Sequence, residues 1–245
     1  MTDGVHALDP IPPEDQIRHA DFTQPWARGE AIQPLTTEVL VRRSLEFSSS
    51  GFITIISIIQ GCALGLLAQQ AFDKRTMLVA FHSATLLMVF VTVFYFYMTL
   101  SILLRWAPSF LDAFLPFAIG GLEIPPAFFL GNPAAWSAWL AAFWLFTSFG
   151  LLITIKWAPP SHFGGDLIAH GMMHRLLWEV QIVTGVGGFL SGVVAVVTAL
   201  MPDGTVPAAF GVCIILATVG GVVVGIEKNA ARIHRHYGVN RPAFN

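Results

Sequence analysis

The sequence predicts an all-α integral membrane protein with six transmembrane helices and with both the N and the C terminus in the cytoplasm. Of its 245 residues, 55% are hydrophobic and 11% are charged, whereas about 25% of the residues of a soluble domain are charged. Most of the chain therefore faces lipid or other apolar side chains. Apolar runs of about 20 residues recur along it, and this length crosses a bilayer core of roughly 30 Å.

The six predicted spans share this length and composition. They comprise residues 50–69, 77–104, 110–130, 135–155, 176–200 and 207–226. The third span contains Asp112, Pro116, Gly120, Glu123 and Pro125, so we expect it to be kinked, broken or re-entrant, as helices that line a cavity are. If it does not cross the membrane, the chain has five spans.

The positions of the basic residues predict the orientation. Arg42 and Arg43 precede the first span, Lys228 and Arg232 follow the last, and basic residues mark the cytoplasmic side of a membrane protein. Five spans would place these two ends on opposite sides, so the charge pattern favours six. The predicted regions are a cytoplasmic arm at residues 1–45, a transmembrane helical bundle at 46–228 and a cytoplasmic tail at 229–245.

Composition also excludes some partners and favours others. The 15 acidic and 13 basic residues nearly cancel, and the basic ones lie at segment ends, which is not the basic patch that nucleic acid requires. Cys62 and Cys213 both lie in apolar runs, which favours buried thiols over a metal or disulfide cluster. We expect a multi-pass protein of the plasma (inner) membrane, surrounded by lipid and without a cofactor.

Pairs of small residues four positions apart occur in three of the spans. They are Gly61 with Gly65, Gly188 with Gly192, and Gly221 with Gly225. This spacing lets two helix backbones approach closely in lipid. It predicts close helix packing within one chain, or a subunit interface in a homo-oligomer.

Four polar residues inside the apolar spans define a predicted polar seam: Gln60, Asp112, Glu123 and Glu179. Asp112 and Glu123 are eleven positions apart, which at about 100° per residue returns to nearly the same helical face. One hypothesis is a cation pathway or proton relay; the other is that Asp112 caps a helix while a neighbouring helix satisfies Glu123. Glu179 has a third option, an ion pair with Arg175 at i−4.

Three residues at the start of the fifth span have the spacing of a metal site. Asp166, His170 and His174 stand at i, i+4 and i+8 and share one face of a continuous helix, where carboxylate and imidazole can bind a divalent metal. The alternative is a solvated face on which Asp166 favours the start of the helix. His82 is predicted to be a satisfied histidine near the outer surface, and Trp136 an interfacial anchor.

The first span begins with a short recognisable motif. Arg43 is followed by Phe47 and Ser48 at the spacing Arg-x-x-x-Phe-Ser. This resembles the Arg-x-x-x-Phe-Ser-Asp opening of the prokaryotic six-span potassium channels that are relatives of the lysosomal potassium channel. Ser49 stands where that family has its aspartate, a residue of the network that holds the first helix in place.

The resemblance implies a function and a set of pore residues. In that family the motif begins a pore-lining first helix, isoleucines of this helix form the constriction, and six-span chains assemble as tetramers. Carried over to this sequence, the candidate pore-facing residues are Ile53, Ile55 and Ile56. The implied ion is potassium.

The favoured function is an oligomeric ion channel, or a channel-like protein, that conducts a monovalent cation along the polar seam. One alternative is an integral membrane enzyme that acts on a lipid-soluble substrate, with Asp112, Glu123 or Glu179 as general acid. The other is an accessory subunit of a larger membrane complex, whose polar arm binds partners. The sequence contains no Gly-rich phosphate loop, nucleophile elbow or Cys-x-x-Cys pair.

Overall fold

All regular secondary structure in the described part of this computed structural model is helical. The structure describes residues 37–74, 76–103, 110–157, 166–201 and 205–239. Within these ranges only the backbone is described for residues 37–50, 52, 110–113, 115–116, 157 and 205. The helices in chain order are α1 (Thr37–Asp73), α2 (Met77–Leu103), α3 (Phe110–Glu123), α4 (Pro125–Phe128), α5 (Pro133–Trp157), α6 (Leu167–Leu200) and α7 (Thr205–His236).

Five of these helices are long and apolar enough to cross a membrane, namely α1, α2, α5, α6 and α7. They correspond to five of the six predicted spans, and an all-α architecture suited to a bilayer is thereby confirmed. The third predicted span is instead divided between the 14 residues of α3 and the four residues of α4. Its apolar stretch, Phe117–Phe128, is shorter than the other five.

Several helices extend well beyond the predicted spans. The first begins at Thr37 rather than at residue 50, and α6 begins at Leu167 rather than at residue 176. The 37 residues of α1 amount to about 55 Å of helix at 1.5 Å per residue, against roughly 30 Å of hydrocarbon. Hydropathy detects only the part of a helix that lies in lipid, so the polar ends escaped prediction.

Helices α5, α6 and α7 pack most closely, and glycine makes this possible. A Cβ atom on Gly188 of α6 would stand 2.9 Å from the backbone nitrogen of Leu145 in α5. On the other side, a Cβ atom on Gly221 of α7 would stand 2.9 Å from Cγ1 of Val183 in α6. Two of the three predicted small-residue pairs therefore contribute to packing within the chain.

The remaining helices surround this group. Helix α2 packs against α7, while α3 and α4 pack against α5. Helix α1 approaches α3 at Gly120, where a Cβ atom would clash with Cγ2 of Ile59. At Gly61 and Gly65, the third small-residue pair, no atom of the described residues lies within 4 Å of the ideal Cβ positions.

The distribution of polarity is the reverse of that in a soluble protein. Large apolar side chains such as Phe149, Phe189 and Val196 are more than half exposed, as expected where lipid is the surrounding solvent. Polar side chains, among them Gln60 and Glu123, are buried between helices. Buried polar groups need partners, so these residues indicate where to look for a functional site.

Candidate membrane-embedded polar site

The break between α3 and α4 positions Glu123. Pro125 and Pro126 lack the backbone N–H that a continuing helix would use, and the last α3-type bond runs from Ile124 N to the carbonyl oxygen of Gly120 at 3.1 Å. Helix α3 therefore ends at Glu123. The prediction that the third span is kinked or broken is confirmed at this point.

Glu123 and Gln60 form a buried pair between α3 and α1. Gln60 Nε2 donates a hydrogen bond of 2.8 Å to Glu123 Oε2, and the two residues are 1% and 7% exposed respectively. The second carboxyl oxygen, Oε1, is buried and has no hydrogen-bond partner among the described residues. The structure thus joins two members of the predicted polar seam.

A small cavity lies between α2, α3, α5 and α6. Its volume is about 40 Å³, and its lining includes Tyr97, Ile119, Phe143 and Leu177. Ile119 is one helical turn before Glu123, and the buried Tyr97 lies within the electrostatic field of that carboxyl group. The volume is far below the roughly 300–1,000 Å³ of small-molecule pockets, and the lining is mostly apolar.

The far end of the α3–α4 segment is also held by a buried polar contact. His82 of α2 donates from Nδ1 to the carbonyl oxygen of Leu130 at 2.6 Å. Its ring stacks on Trp136 with centroids 4.1 Å apart and planes 2° apart. Both side chains are fully buried, so the expectation that Trp136 is an interfacial anchor was wrong: it packs against a histidine inside the bundle.

Glu179 takes part in a separate network between α6 and α7. Arg175 Nε donates to its Oε1 at 2.9 Å, and Asn229 Nδ2 donates to its Oε2 at 2.7 Å. The ion pair with Arg175 is one of the options raised by the sequence. Asn229 is 1% exposed, so α7 remains packed within the first residues of the predicted tail.

A second tie, between α2 and α7, involves residues that the sequence analysis did not single out. The hydroxyl group of Tyr95 donates to Glu227 Oε1. Tyr97 was missed as well, because an aromatic residue in an apolar run carries no local sign of a polar neighbour. The Tyr-Phe-Tyr triplet at residues 95–97 is the only sequence signal that could have drawn attention to both.

The predicted metal ligands are not brought together around one point. Asp166 is the N-cap of α6: its Oδ1 accepts from the backbone N–H groups of Ile168 and Ala169, and its Oδ2 accepts from His236 Nε2 at 3.0 Å and from the Tyr237 hydroxyl at 3.1 Å. The Ala169 N–H, then His236, lowers the pKa of Asp166 to about 2.

The two histidines of that motif lie further along the same helix. The ring centroids of His170 and His174 are 6.4 Å apart. Among the residues that the structure describes, no group of three His, Cys, Asp or Glu side chains has the geometry of a metal site. Asp166 caps the helix, His170 is partly buried and His174 is exposed.

The other predicted site residues fall into two classes. Ile56 is 3% exposed, while Ile53 and Ile55 are half-buried, so at least Ile56 faces other helices of the same chain. The side chains of Arg43, Phe47, Ser48 and Asp112 lie outside the described ones. The backbone of the motif is helical and belongs to α1.

Comparison with known proteins adds no relative to this description. No family model, no curated protein and no solved structure matches the chain. The assignment of function therefore rests on the geometry of the buried polar residues.

Proposed function

We propose that this chain conducts a monovalent cation across the plasma (inner) membrane as an oligomeric channel or channel-like protein, with Gln60 and Glu123 in its polar seam. The observation that carries the proposal is the buried hydrogen bond between these two side chains. An ionised carboxylate in hydrocarbon costs at least ~2.5 kcal/mol on insertion scales, and such residues mark ion and proton pathways. The bond also joins the first and third predicted spans, the two from which conduction was expected.

The proposal includes the topology. We propose that α3 and α4 together form a sixth crossing and that both termini are cytoplasmic. Six crossings place Arg42 and Arg43 on the same side as Lys228 and Arg232, in agreement with the tendency of basic residues to remain inside. Broken helices with polar residues at the break are tolerated in lipid where they line a cavity or pack against protein.

Assembly as a homo-oligomer is part of the same proposal. Gly61 and Gly65 leave a flat strip on α1, and no described side chain lies within 4 Å of their ideal Cβ positions. A second copy of the chain is a fitting neighbour for such a strip, because small residues allow close helix contact. The resemblance at Arg43, Phe47 and Ser48 makes a tetramer the first stoichiometry to test.

Flux measurements on the purified protein test this function. The chain is reconstituted into liposomes, and fluxes of K⁺, Na⁺ and H⁺ are recorded for the native protein and for Glu123→Gln. We expect flux of one of these cations and a loss of at least tenfold in the variant. Glu227→Gln is the matched control, since it makes the same chemical change at a carboxyl group tied to Tyr95; native protein without flux of any of the three would overturn the proposal.

The alternatives gain less from the structure. The described cavity of about 40 Å³ has no room for a lipid-soluble substrate, so an enzyme would need a different binding site. The accessory-subunit hypothesis predicts that other chains copurify with this one. Purification from native membranes as a homogeneous oligomer would favour conduction by this chain alone.

A further inference from the structure

We infer that the cation handled by Glu123 is the proton, an inference that rests on the proposed function and specifies its ion. In this account Glu123 Oε1 takes up a proton from one side of the membrane, forming an O–H bond, and releases it to the other side by breaking that bond. No electron is transferred and no other reactant is needed. Three properties of the site support the proton over a metal cation.

The first property is the chemistry of the groups around the carboxyl. A dehydrated metal cation requires a shell of oxygen atoms, such as the carbonyl rings of potassium channels. Gln60 instead presents an N–H donor, with Nε2 2.8 Å from Glu123 Oε2. The partial positive charge of that amide stabilises a carboxyl oxygen and repels a metal cation at the same place.

The second property is the asymmetry of the two carboxyl oxygens. Oε2 accepts from Gln60, whereas Oε1 is buried and has no hydrogen-bond partner among the described residues. If Oε1 carries a proton, Oε2 becomes the carbonyl oxygen of a neutral carboxylic acid and continues to accept the same bond. The pair therefore keeps its geometry in both states, which a site that gains and loses protons repeatedly requires.

The third property is the lack of room for a hydrated ion. The cavity beside Ile119 and Tyr97 measures about 40 Å³. A cation that keeps about six waters needs about 60–90 Å³ by the same measure, because each water requires about 10–15 Å³. A proton needs no shell, and its binding also removes the charge that makes a buried carboxylate costly.

The side chains that neighbouring helices place near Glu123 identify it as the proton carrier. Helix α1 contributes the amide of Gln60, which is neutral and does not titrate. Helix α2 contributes the phenol of Tyr97, within the electrostatic field of Glu123, and Ile119 lies one turn earlier on α3 itself. Among the described groups named here, Glu123 supplies the carboxyl group, and it is therefore the proton carrier in this account.

Ion-specific flux distinguishes this inference from the function on which it rests. Liposomes containing the protein receive, in separate experiments, a pH gradient, a K⁺ gradient and a Na⁺ gradient, with a dye for each ion. We expect proton flux that falls at least tenfold in Glu123→Gln and is unchanged in Glu227→Gln. Flux of K⁺ or Na⁺ that depends on Glu123 would retain the proposed function and overturn the inference; proton flux that ignores Glu123→Gln would overturn the inference as well.

An infrared measurement tests the proton directly and without transport. Difference spectra between acid and alkaline buffer are recorded on membranes that contain the native protein, Glu123→Gln or Glu227→Gln. We expect a C=O stretch of a protonated carboxylic acid that disappears in Glu123→Gln and persists in Glu227→Gln. If the C=O band persists in Glu123→Gln, the assignment of the proton to Glu123 is overturned. Melting temperatures equal to that of the native protein show that both variants are folded.

Discussion

Two parts of the molecule are held together by different means. In the group formed by α5, α6 and α7, glycines bring backbones close: Gly188 lies against Leu145, and Gly221 lies against Val183. In the α3–α4 segment, polar bonds hold both ends: Glu123 binds Gln60, and the carbonyl oxygen of Leu130 binds His82. Gly120 is the one described residue of that segment whose Cβ would clash with a neighbouring helix.

The difference has a physical basis. In lipid, helices gain little from the hydrophobic effect, so they associate through close packing or through hydrogen bonds. Close packing distributes its energy over many small contacts and does not itself require a polar group. A buried hydrogen bond concentrates its energy in two side chains and keeps a titratable group inside the membrane, which is what an ion pathway needs.

The largest expected effect tests the glycine-packed group. Gly188→Ala places a methyl group 2.9 Å from the backbone nitrogen of Leu145, and backbone cannot move aside as a flexible side chain can. We expect a loss of about 1–3 kcal/mol, the usual cost of overpacking, measured by thermal unfolding in detergent. Gly192→Ala is the control, because its nearest contact is Ala141 Cβ at 3.8 Å; equal losses in both variants would show that packing at Gly188 is not special.

A smaller effect is expected for the polar bond between α1 and α3. A double-mutant cycle with Gln60→Leu, Glu123→Leu and the double variant isolates the interaction between the two side chains. We expect a coupling energy of about 0.6–1.7 kcal/mol, the range of interhelical hydrogen bonds in membranes. If the stability loss of the double variant equals the sum of the losses of the two single variants, the bond does not hold α1 to α3.

The bond at the other end of the α3–α4 segment should contribute slightly less. His82→Phe keeps an aromatic ring to stack on Trp136 but removes the donor to Leu130. We expect a loss of about 0.5–1.5 kcal/mol, the net value of a neutral hydrogen bond, in the same unfolding assay. His174→Phe, at an exposed position, should leave stability nearly unchanged. A larger loss of stability in His174→Phe than in His82→Phe would refute the role of His82.

The smallest effect is expected at Asp166, which lies in water. Its donors lower its pKa from 3.8 to about 2, so it stabilises the fold fully above about pH 4 and progressively less as the pH falls toward 2. Asp166→Asn keeps a good helix cap but cannot accept from His236 in the same way. We expect a slightly lower melting temperature for Asp166→Asn at neutral pH and a difference that shrinks below about pH 4 and vanishes near pH 2; a difference that grows with acidity would contradict this account.

Much of the fold could be predicted because hydropathy and helix length are local properties. Five spans were located in this way, and the division of the third followed from Pro125 and Pro126, whose missing N–H groups are visible in the sequence. The extension of α1 back to Thr37 was not predictable by the same means, because a helical segment outside lipid has no hydropathic signature.

The site could be predicted only in part. Gln60 and Glu123 were identified because polar residues are rare inside apolar spans, but their bond depends on how α1 and α3 meet, 63 positions apart in sequence. The metal hypothesis for Asp166 and the two histidines used helical periodicity correctly. It could not anticipate that the carboxylate would be occupied by a residue 70 positions away, His236.

The tie between Asp166 and His236 also has a mechanical consequence. Helix α6 has 34 residues and α7 has 32, which is about 50 Å each, so both extend some 20 Å beyond a hydrocarbon layer of roughly 30 Å. The tie joins the start of α6 to the end of α7, so the two long helices cannot separate at this end without breaking it.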